Sequence, residues 1–195
     1  MKIPTKDQCY QMISEMKMMD HIVIHSLQVC RVGTFLTEHL NKQHYRLNFD
    51  LIQSAALLHD ITKTRSFETR EDHALTGGKH LSDCGYPAIG DLIRQHVKLD
   101  TYSDAGTISE AEVLNYADKR VLHDEIVVLD RRLDYILERY AETPEHRERI
   151  YLLWQKTREM EIKIFKDLSF APGDLNQLIQ PRGWAVEFKE YQKML

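Results

Sequence analysis

The 195-residue sequence has few of the residues that mark a fibrous, secreted or membrane-spanning chain. Its eight glycines and five prolines are too few for a collagen-like or low-complexity protein. The three cysteines are widely spaced and form no C-x-x-C pair, which predicts reduced thiols. No apolar run approaches the roughly 18 residues of a membrane span. Residues 1–12 lack the apolar core of a signal peptide, so we expect a cytoplasmic protein.

The chain also lacks a basic excess, with 26 Lys and Arg against 30 Asp and Glu and a formal net charge of −4. Proteins that grip an extended nucleic-acid backbone usually carry the opposite balance, so that class is excluded. A small phosphorylated substrate held in a local site remains compatible with this charge. The length suits one domain over residues 1–195, which can bury roughly 70% of its unfolded surface.

Apolar residues recur at the helical period along almost the whole chain, so we predict an all-α fold. Helices are expected at residues 20–40, 50–58, 73–84 and 88–97, with a polar loop at 62–72 and turns at 101–106 and 181–183. Ser109 and Glu112 form a capping box that starts another helix. The mixed charges of residues 118–149 predict a long solvated helix, broken near Pro144 and followed by a last long helix to about residue 168. Beyond residue 172 the periodicity is weak.

Histidine is the one unusual residue count, at ten, and histidine is both a metal ligand and a general acid or base. His25, His59 and His96 each have apolar neighbours at helical spacing, so each is expected on the buried face of a different helix. Asp60 follows His59 directly, and Asp118 also lies among apolar neighbours. One inward histidine is more often a hydrogen-bonded core residue than a ligand. Several on different helices would each need a separate partner, whereas a metal site satisfies all of them.

The order of these residues resembles the HD superfamily of metal-dependent phosphohydrolases. His25 lies in H-S-L-Q-V, His59 and Asp60 in A-A-L-L-H-D-I-T-K, and Asp118 in Y-A-D-K-R. The resemblance covers about residues 20–125. It implies a compact helical bundle with a metal site at its centre, and it leaves residues 140–195 as a C-terminal helical extension.

The resemblance also implies a ligand set for one or two divalent ions. Two-metal members carry two further histidines between the H-D pair and the last Asp, one of them in H-x-x-x-G, and the Asp of the pair bridges the ions. His73 matches that motif and is preferred to His80, which lies seven residues further on the same helix face. Nitrogen and oxygen ligands without thiolate favour Fe or Mn, with Ni, Co, Zn and Mg also compatible. The implied ligands are His25, His59, Asp60, His73, His96 and Asp118.

The implied activity is cleavage of a phosphate ester or anhydride bond of a small, nucleotide-like substrate by a metal-activated water. Asp60 and Lys63 are the implied catalytic residues, because Lys63 matches the H-D-x-x-K variant of the motif and could clamp phosphate. Arg65 and Arg94 are further candidates for substrate binding, against the alternative of solvated surface arginines.

Several alternatives stay open at this stage. Lys119 and Arg120 could reach the site or pair with a neighbouring helix, and His21 is expected at the rim of a pocket. The substrate could be a mononucleotide, a cyclic nucleotide or a diadenosine polyphosphate, because a fold does not fix a substrate. The same ligand order also fits a di-iron oxygenase or a non-catalytic sensor. The apolar side of residues 151–165 could pack on the core or form a homodimer interface.

Overall fold

The structure, a computed structural model, describes residues 1–102, 106–180 and 182–194 and is almost entirely helical there, which confirms the predicted all-α class. A short 3₁₀ helix lies at Pro172–Asp174, and two short strands, β1 (Val121–Leu122) and β2 (Glu125–Ile126), form an antiparallel hairpin. No helix in the described ranges is long and apolar enough to cross a membrane. The helices are α1 (Lys6–Glu15), α2 (Asp20–Gln43), α3 (Phe49–Leu58), α4 (Lys63–Thr69), α5 (His73–Asp83), α6 (Pro87–Ile93), α7 (Glu110–Lys119), α8 (Leu129–Tyr140), α9 (Pro144–Phe165), α10 (Leu175–Leu178) and α11 (Trp184–Gln192).

Helix α3 lies at the centre of the core. The side chain of Asn48 caps its first turn by accepting a hydrogen bond from the backbone N–H of Leu51. Ile52, Ala55 and Leu58 are completely buried, because α3 is covered by α2, α6 and α7. A helix that is apolar on every side can lie only in such an enclosed position. The last residue of α3 therefore lies deep inside the protein, and His59 and Asp60 follow it directly.

Helices α5 and α6 cross at very short range. A Cβ atom added to Gly78 would lie 2.7 Å from the carbonyl oxygen of Gly90, so only glycine permits this approach. The Asp72 side chain caps α5 by accepting from the backbone N–H groups of Ala74 and Leu75. The crossing brings the first residue of α5 and the end of α6 to the same side of α3.

The prediction of a long helix from residue 118 to the break near Pro144 was wrong at its start, whereas the break itself is confirmed. Helix α7 ends at Lys119, the β1–β2 hairpin reverses the chain, and α8 and α9 follow. The hairpin turns at His123, which has a left-handed φ of 56°, and its Val121 is completely buried. The mixed charges correctly indicated an exposed helix at α8, but they masked the short apolar hairpin before it. Asp118 therefore lies near the end of its helix and not, as expected, near the start.

Two smaller expectations also needed correction. The loop expected at residues 62–72 contains α4. No residue of this helix is fully buried, so its sequence has little apolar periodicity from which the helix could be predicted. The helix expected at 88–97 ends at Ile93, and turns follow it. The weakly periodic tail contains α10 and α11. The turns expected at 101–106 and 181–183 lie partly outside the described residues. The other predicted helices are confirmed to within a few residues.

Arg120 fixes the C-terminal helices to the core. Its guanidinium is 1% exposed and donates hydrogen bonds to the carbonyl oxygens of Val127 and Pro172. It also forms an ion pair with Glu161 of α9, at 3.2 Å. A second tie joins α9 to the start of α8, where Trp154 donates from Nε1 to the carbonyl of Leu129. These bonds hold α8 and α9 in a fixed position beside the core.

Candidate metal centre

Six histidine and aspartate side chains from five parts of the chain converge beside α3. One projects from the second turn of α2, and two follow the last residue of α3. One is the first residue of α5, one lies three residues beyond α6, and one is in the last turn of α7. The structure thus brings together all six residues singled out from the sequence, which are His25, His59, Asp60, His73, His96 and Asp118.

The first group of atoms contains His25, His59 and Asp118. Oδ1 of Asp118 lies 3.0 Å from Nε2 of His25 and 3.7 Å from Nε2 of His59. Oδ2 of Asp60 lies 3.6 Å from the same His59 nitrogen. Ligand atoms about 2.1 Å from a shared ion are about 3.0 to 3.4 Å apart, depending on the coordination angle. These spacings therefore suit one metal ion, with small shifts of the side chains.

The second group lies on the other side of Asp60. Its Oδ1 atom is 3.1 Å from Nε2 of His73 and 3.6 Å from Nε2 of His96. The two imidazole nitrogens are 3.2 Å apart. Asp60 thus presents one carboxylate oxygen to each group, so the arrangement could hold two ions that share this residue. Ligand atoms close enough to share one ion occur at His25, His59 and Asp118 and at His59, Asp60 and His96.

Backbone carbonyls orient three of the four imidazoles. Nδ1 of His59 lies 2.8 Å from the carbonyl oxygen of Ala56, and Nδ1 of His96 lies 2.5 Å from that of Ile93. Nδ1 of His25 lies 3.1 Å from the carbonyl oxygen of His123. Because a carbonyl only accepts, Nδ1 carries the proton, and Nε2 presents its lone pair to the cluster. This is the usual orientation of histidines that bind metals.

Three polar residues that the sequence did not single out as supports hold the loops of the cluster. Asn115 donates from Nδ2 to the carbonyl oxygen of His96, and Lys119 donates from Nζ to the same oxygen at 3.0 Å. The hydroxyl of Thr62 donates to the carbonyl of His73 at 2.8 Å. Lys119 was weighed as a residue that could reach the site, but its role in fixing His96 was missed. The four-residue spacing of Asn115 and Lys119 was the available signal.

The cluster combines neutral imidazoles with ionised carboxylates. Burial lowers the pKa of His96 to about 3 and lowers the pKa of His59, although nearby carboxylates oppose the shift. Burial opposes the charge of Asp60 and of Asp118, but neighbouring imidazoles and cations hold the pKa of each carboxyl well below its usual range. Burial also lowers the pKa of Lys119, to about 8. Neutral histidine and ionised aspartate are the forms that bind metal.

The residues present fit a divalent ion. Nε2 of His59 is buried, and no group among the described residues forms a hydrogen bond with it. A buried polar atom without a partner is costly, and a bound cation would satisfy this lone pair together with those of its neighbours. The donor set of imidazole nitrogens and carboxylate oxygens is one that first-row divalent metals accept.

Comparison with known protein families agrees with this site. The sequence model of the HD domain matches residues 22–124, which is more than half of the chain. The chain belongs to the HD domain family. This places it in a superfamily of metal-dependent phosphohydrolases. Comparisons with curated proteins and with solved structures gave no significant match. The matched HD domain segment contains all six converging residues, whereas α8 to α11 lie beyond it.

A cavity of about 800 Å³ opens above the cluster of this HD domain. Five of the six converging residues line it, and the fully buried His59 lies beneath. Lys63 lines the same wall, with Nζ 3.1 Å from Nε2 of His73 and 3.9 Å from Oδ1 of Asp60. The volume is typical of a site for a small organic ligand.

The opposite wall of the cavity comes from α8 and α9, and sequence reasoning missed it. Arg132, Tyr135 and Arg139 share one face of α8 with two further lining residues, and Trp154 lies on α9. The recurrence of these α8 residues every three or four positions was the available signal. It was hidden because the chain from residue 118 to the break near Pro144 was interpreted as one solvated helix.

Several candidates from the sequence lie away from the cluster. Arg65 pairs with Glu71 at 2.6 Å, and Arg94 pairs with Asp91 at 2.8 Å and with Asp100, all outside the cavity lining. These two substrate-binding candidates are thus occupied by surface ion pairs. His80 lies beside Cys84 at the end of α5, and Arg120 turns away into its structural network. His21 does line the cavity, as expected of a rim residue, and so does His123.

Proposed function

We propose that this HD domain is a metal-dependent phosphohydrolase that cleaves a phosphate ester or anhydride bond of a small nucleotide. The observation that carries the proposal is the convergence of six candidate ligand side chains at the base of an open cavity, among them His59, whose Nε2 has no hydrogen-bond partner in the described residues. Ligand pockets with a few convergent polar groups and perturbed pKa values are the usual location of active sites.

The side chains of the cluster have separable tasks. A bound divalent ion supplies a Lewis acid that neutralises phosphoryl charge and lowers the pKa of a water molecule. Asp60 contacts both groups of imidazoles, one through each carboxylate oxygen, and so fixes the position of the two groups relative to each other. Lys63 places an ammonium group beside Asp60 and His73, where it can bind a phosphoryl oxygen and stabilise the charge that develops there. Phosphoryl transfer needs little beyond such positioning and charge stabilisation.

The charge of the lining supports an anionic substrate. The described lining contains four cationic side chains, Lys63, Lys119, Arg132 and Arg139, against the two carboxylates of the cluster. The cavity lining therefore carries an excess of positive charge, although the chain as a whole has a formal net charge of −4. Such a potential raises the local concentration of phosphorylated ligands. A di-iron oxygenase acting on an uncharged substrate would have no use for it.

The test is a release assay with metal-stripped protein, supplied in turn with Mn, Fe, Ni, Co, Mg or Zn. The substrates would be nucleoside mono-, di- and triphosphates, cyclic nucleotides, a dinucleoside polyphosphate and a generic phosphodiester. We expect Fe or Mn to restore the fastest turnover, because histidine-rich sites without thiolate suit these ions.

One outcome of this assay would contradict the proposed phosphohydrolase activity. Absence of phosphate or nucleotide release with every metal, from protein that binds the metals with stoichiometry of one or two, would overturn the proposal. Oxygen consumption by the iron-loaded protein would then favour the oxygenase. Protein that bound no metal would favour the sensor.

A further inference from the structure

Helix α8 presents two unusual arginines to the cavity. Arg132, Tyr135 and Arg139 fall at intervals of three and four residues, so they lie on one face of the helix, and all line the cavity. The neighbouring Arg131 lies on another face and forms an ion pair with Glu125 at 2.8 Å. The helix therefore separates arginines that serve its surface from arginines that face the cavity.

Arg132 is half-buried, yet no carboxylate of the described residues forms an ion pair with it. Its Nε atom is buried and has no hydrogen-bond partner in the described part of the chain. Burial opposes ionisation of the Asp118 carboxyl, yet its pKa lies well below the usual range. The positive charge of Arg132 is one of the causes of this lowering. Tyr135 lies under the guanidinium, 5.7 Å from ring centroid to Cζ. A buried guanidinium nitrogen without an acceptor is costly unless a ligand supplies one.

Arg139 extends the cationic face towards the cavity mouth. It lies seven residues beyond Arg132, about 10 Å along the helix at 1.5 Å per residue. Its side chain is exposed, and its guanidinium lies over the ring of Tyr140. Ile150, Leu153 and Trp154 of α9 form an apolar surface beside this face. Neither arginine has an ion-pair partner among the described residues, so the wall offers two cations next to an apolar area, which suits an organic ligand with more than one anionic group.

We infer that Arg132 and Arg139 form a second anion-binding subsite, which takes a phosphoryl group of the substrate other than the one cleaved. The inference rests on the proposed function, since the cluster defines which group is cleaved. The substrate class is then an organic compound with at least two phosphoryl groups and an apolar or aromatic body. Arginine suits this task because its planar fork can donate two hydrogen bonds to one phosphoryl group.

The test measures binding without metal, so that it is independent of turnover. Equilibrium dialysis of metal-stripped protein with a chelator present would compare ADP with AMP, which differ by one phosphoryl group. We expect wild-type protein to bind ADP about tenfold more tightly than AMP, and Arg132→Gln to bring this ratio close to one. Arg139→Gln should lower the ratio about threefold, since its charge is screened by solvent.

Arg131→Gln is the matched control, because it removes the same charge from the adjacent position on another face of α8. Its ADP-to-AMP ratio should equal that of the wild type. A ratio that is unchanged in Arg132→Gln and Arg139→Gln, or lowered equally in all three variants, would overturn the inference. Arg139→Gln lies on the surface and keeps the test valid if Arg132→Gln does not fold. Pyrophosphate serves as a further probe, and binding as tight as that of ADP would contradict a role for the apolar body.

Turnover separates this inference from the proposed function. With the restoring metal, Arg139→Gln should raise KM for ADP more than KM for AMP. If no metal supports turnover, the proposed function fails while the binding ratio still reports on the subsite. If turnover is normal and the ratio is unaffected by either variant, the subsite fails alone.

Discussion

The two ends of the cavity differ in origin, in solvent exposure and in how firmly their side chains are held. The cluster end belongs to the HD domain match, is almost fully buried, and has its imidazoles oriented by backbone carbonyls. The opposite wall comes from α8 and α9 beyond the match and carries arginines and aromatic rings with few hydrogen bonds. Reaction chemistry requires fixed geometry, whereas recognition tolerates mobile side chains. Under the proposed function, the chain divides the two tasks between two segments.

The sharpest way to break this division is to replace the residue that joins the two ligand groups. Asp60→Asn keeps the size of the side chain but removes the charge and one acceptor, so it should bind metal poorly. Loss of a group that only orients a ligand typically costs 10- to 100-fold in affinity or activity, so loss of a shared ligand should cost at least about 100-fold. Metal content by mass spectrometry and turnover in the release assay would measure this, with circular dichroism to confirm the helical content.

Asp91→Asn is the control for that substitution, because Asp91 is an exposed partner of Arg94 outside the cavity. It should bind metal and turn over substrate as the wild type does. His59→Ala should behave as Asp60→Asn does. Full activity and metal content in a protein carrying both cluster substitutions would show that the chemistry lies elsewhere.

The second prediction concerns the close crossing of α5 and α6, which positions the second ligand group. A Cβ at Gly90 would press against the carbonyl oxygen of Gly78 and the side chain of Ser82, so the helices must separate. We expect Gly90→Ala to lower the free energy of unfolding by about 1 to 3 kcal/mol, as overpacking does in other cores. Urea denaturation would measure this. Gly173→Ala is the matched control, since a Cβ there meets no atom within 4 Å.

The same substitution distinguishes the two ligand groups. His73 opens α5 and His96 follows α6, whereas the first group lies on other elements. If the wild-type protein binds two ions, folded Gly90→Ala protein should therefore lose the ion of the second group first, with a metal stoichiometry falling towards one. Equal loss of both ions, or unchanged stability, would show that this crossing does not set the cluster geometry.

The sequence predicted the cluster far better than it predicted the wall. His25, His59, His96 and Asp118 have apolar neighbours at helical spacing, so helical phase indicates that they point inward. Asp60 follows His59 directly, and His73 was predicted only from the family motif. The wall depends on how the β1–β2 hairpin turns the chain, and each strand of that hairpin has only two residues, too few to show a period. Arg132 therefore resembled any surface arginine in the sequence. Arg65 and Arg94 were weaker candidates for substrate binding, weighed against solvated surface arginines, and carboxylates near them in the chain hold them at the surface.

The third prediction uses pH to compare the cluster with the wall. Burial lowers the pKa of His59 and brings the pKa of His96 to about 3, so the unfolded chain binds more protons than the folded protein between pH 7 and 6. Stability of the metal-stripped protein should therefore fall as pH falls through the ordinary histidine pKa of about 6.5. For two imidazoles the loss is about 1 kcal/mol from pH 7 to pH 6.

Urea denaturation of metal-stripped protein at the two pH values would measure this loss. His96→Gln removes one of the two imidazoles and should halve it. Arg139→Gln should leave it unchanged, because an arginine of the wall does not titrate in this range. An equal pH dependence in wild type and His96→Gln would show that His96 does not contribute.

The smallest expected effect is at His123, where the two ends of the cavity meet. Its carbonyl oxygen accepts from Nδ1 of His25, while its ring packs against Tyr135 of α8 with centroids 5.2 Å apart. The residue has a φ of 56°, which costs an ordinary L-residue about 1 kcal/mol and costs glycine almost nothing. His123→Gly keeps the carbonyl and removes this strain, so the free energy of unfolding should change by less than about 1 kcal/mol. His123→Ala keeps the strain and loses the ring, so it should be the less stable of the two in thermal unfolding. Both variants should keep turnover within about threefold of the wild type if only the backbone of His123 serves the cluster, and a tenfold loss in both would assign the imidazole itself to the site.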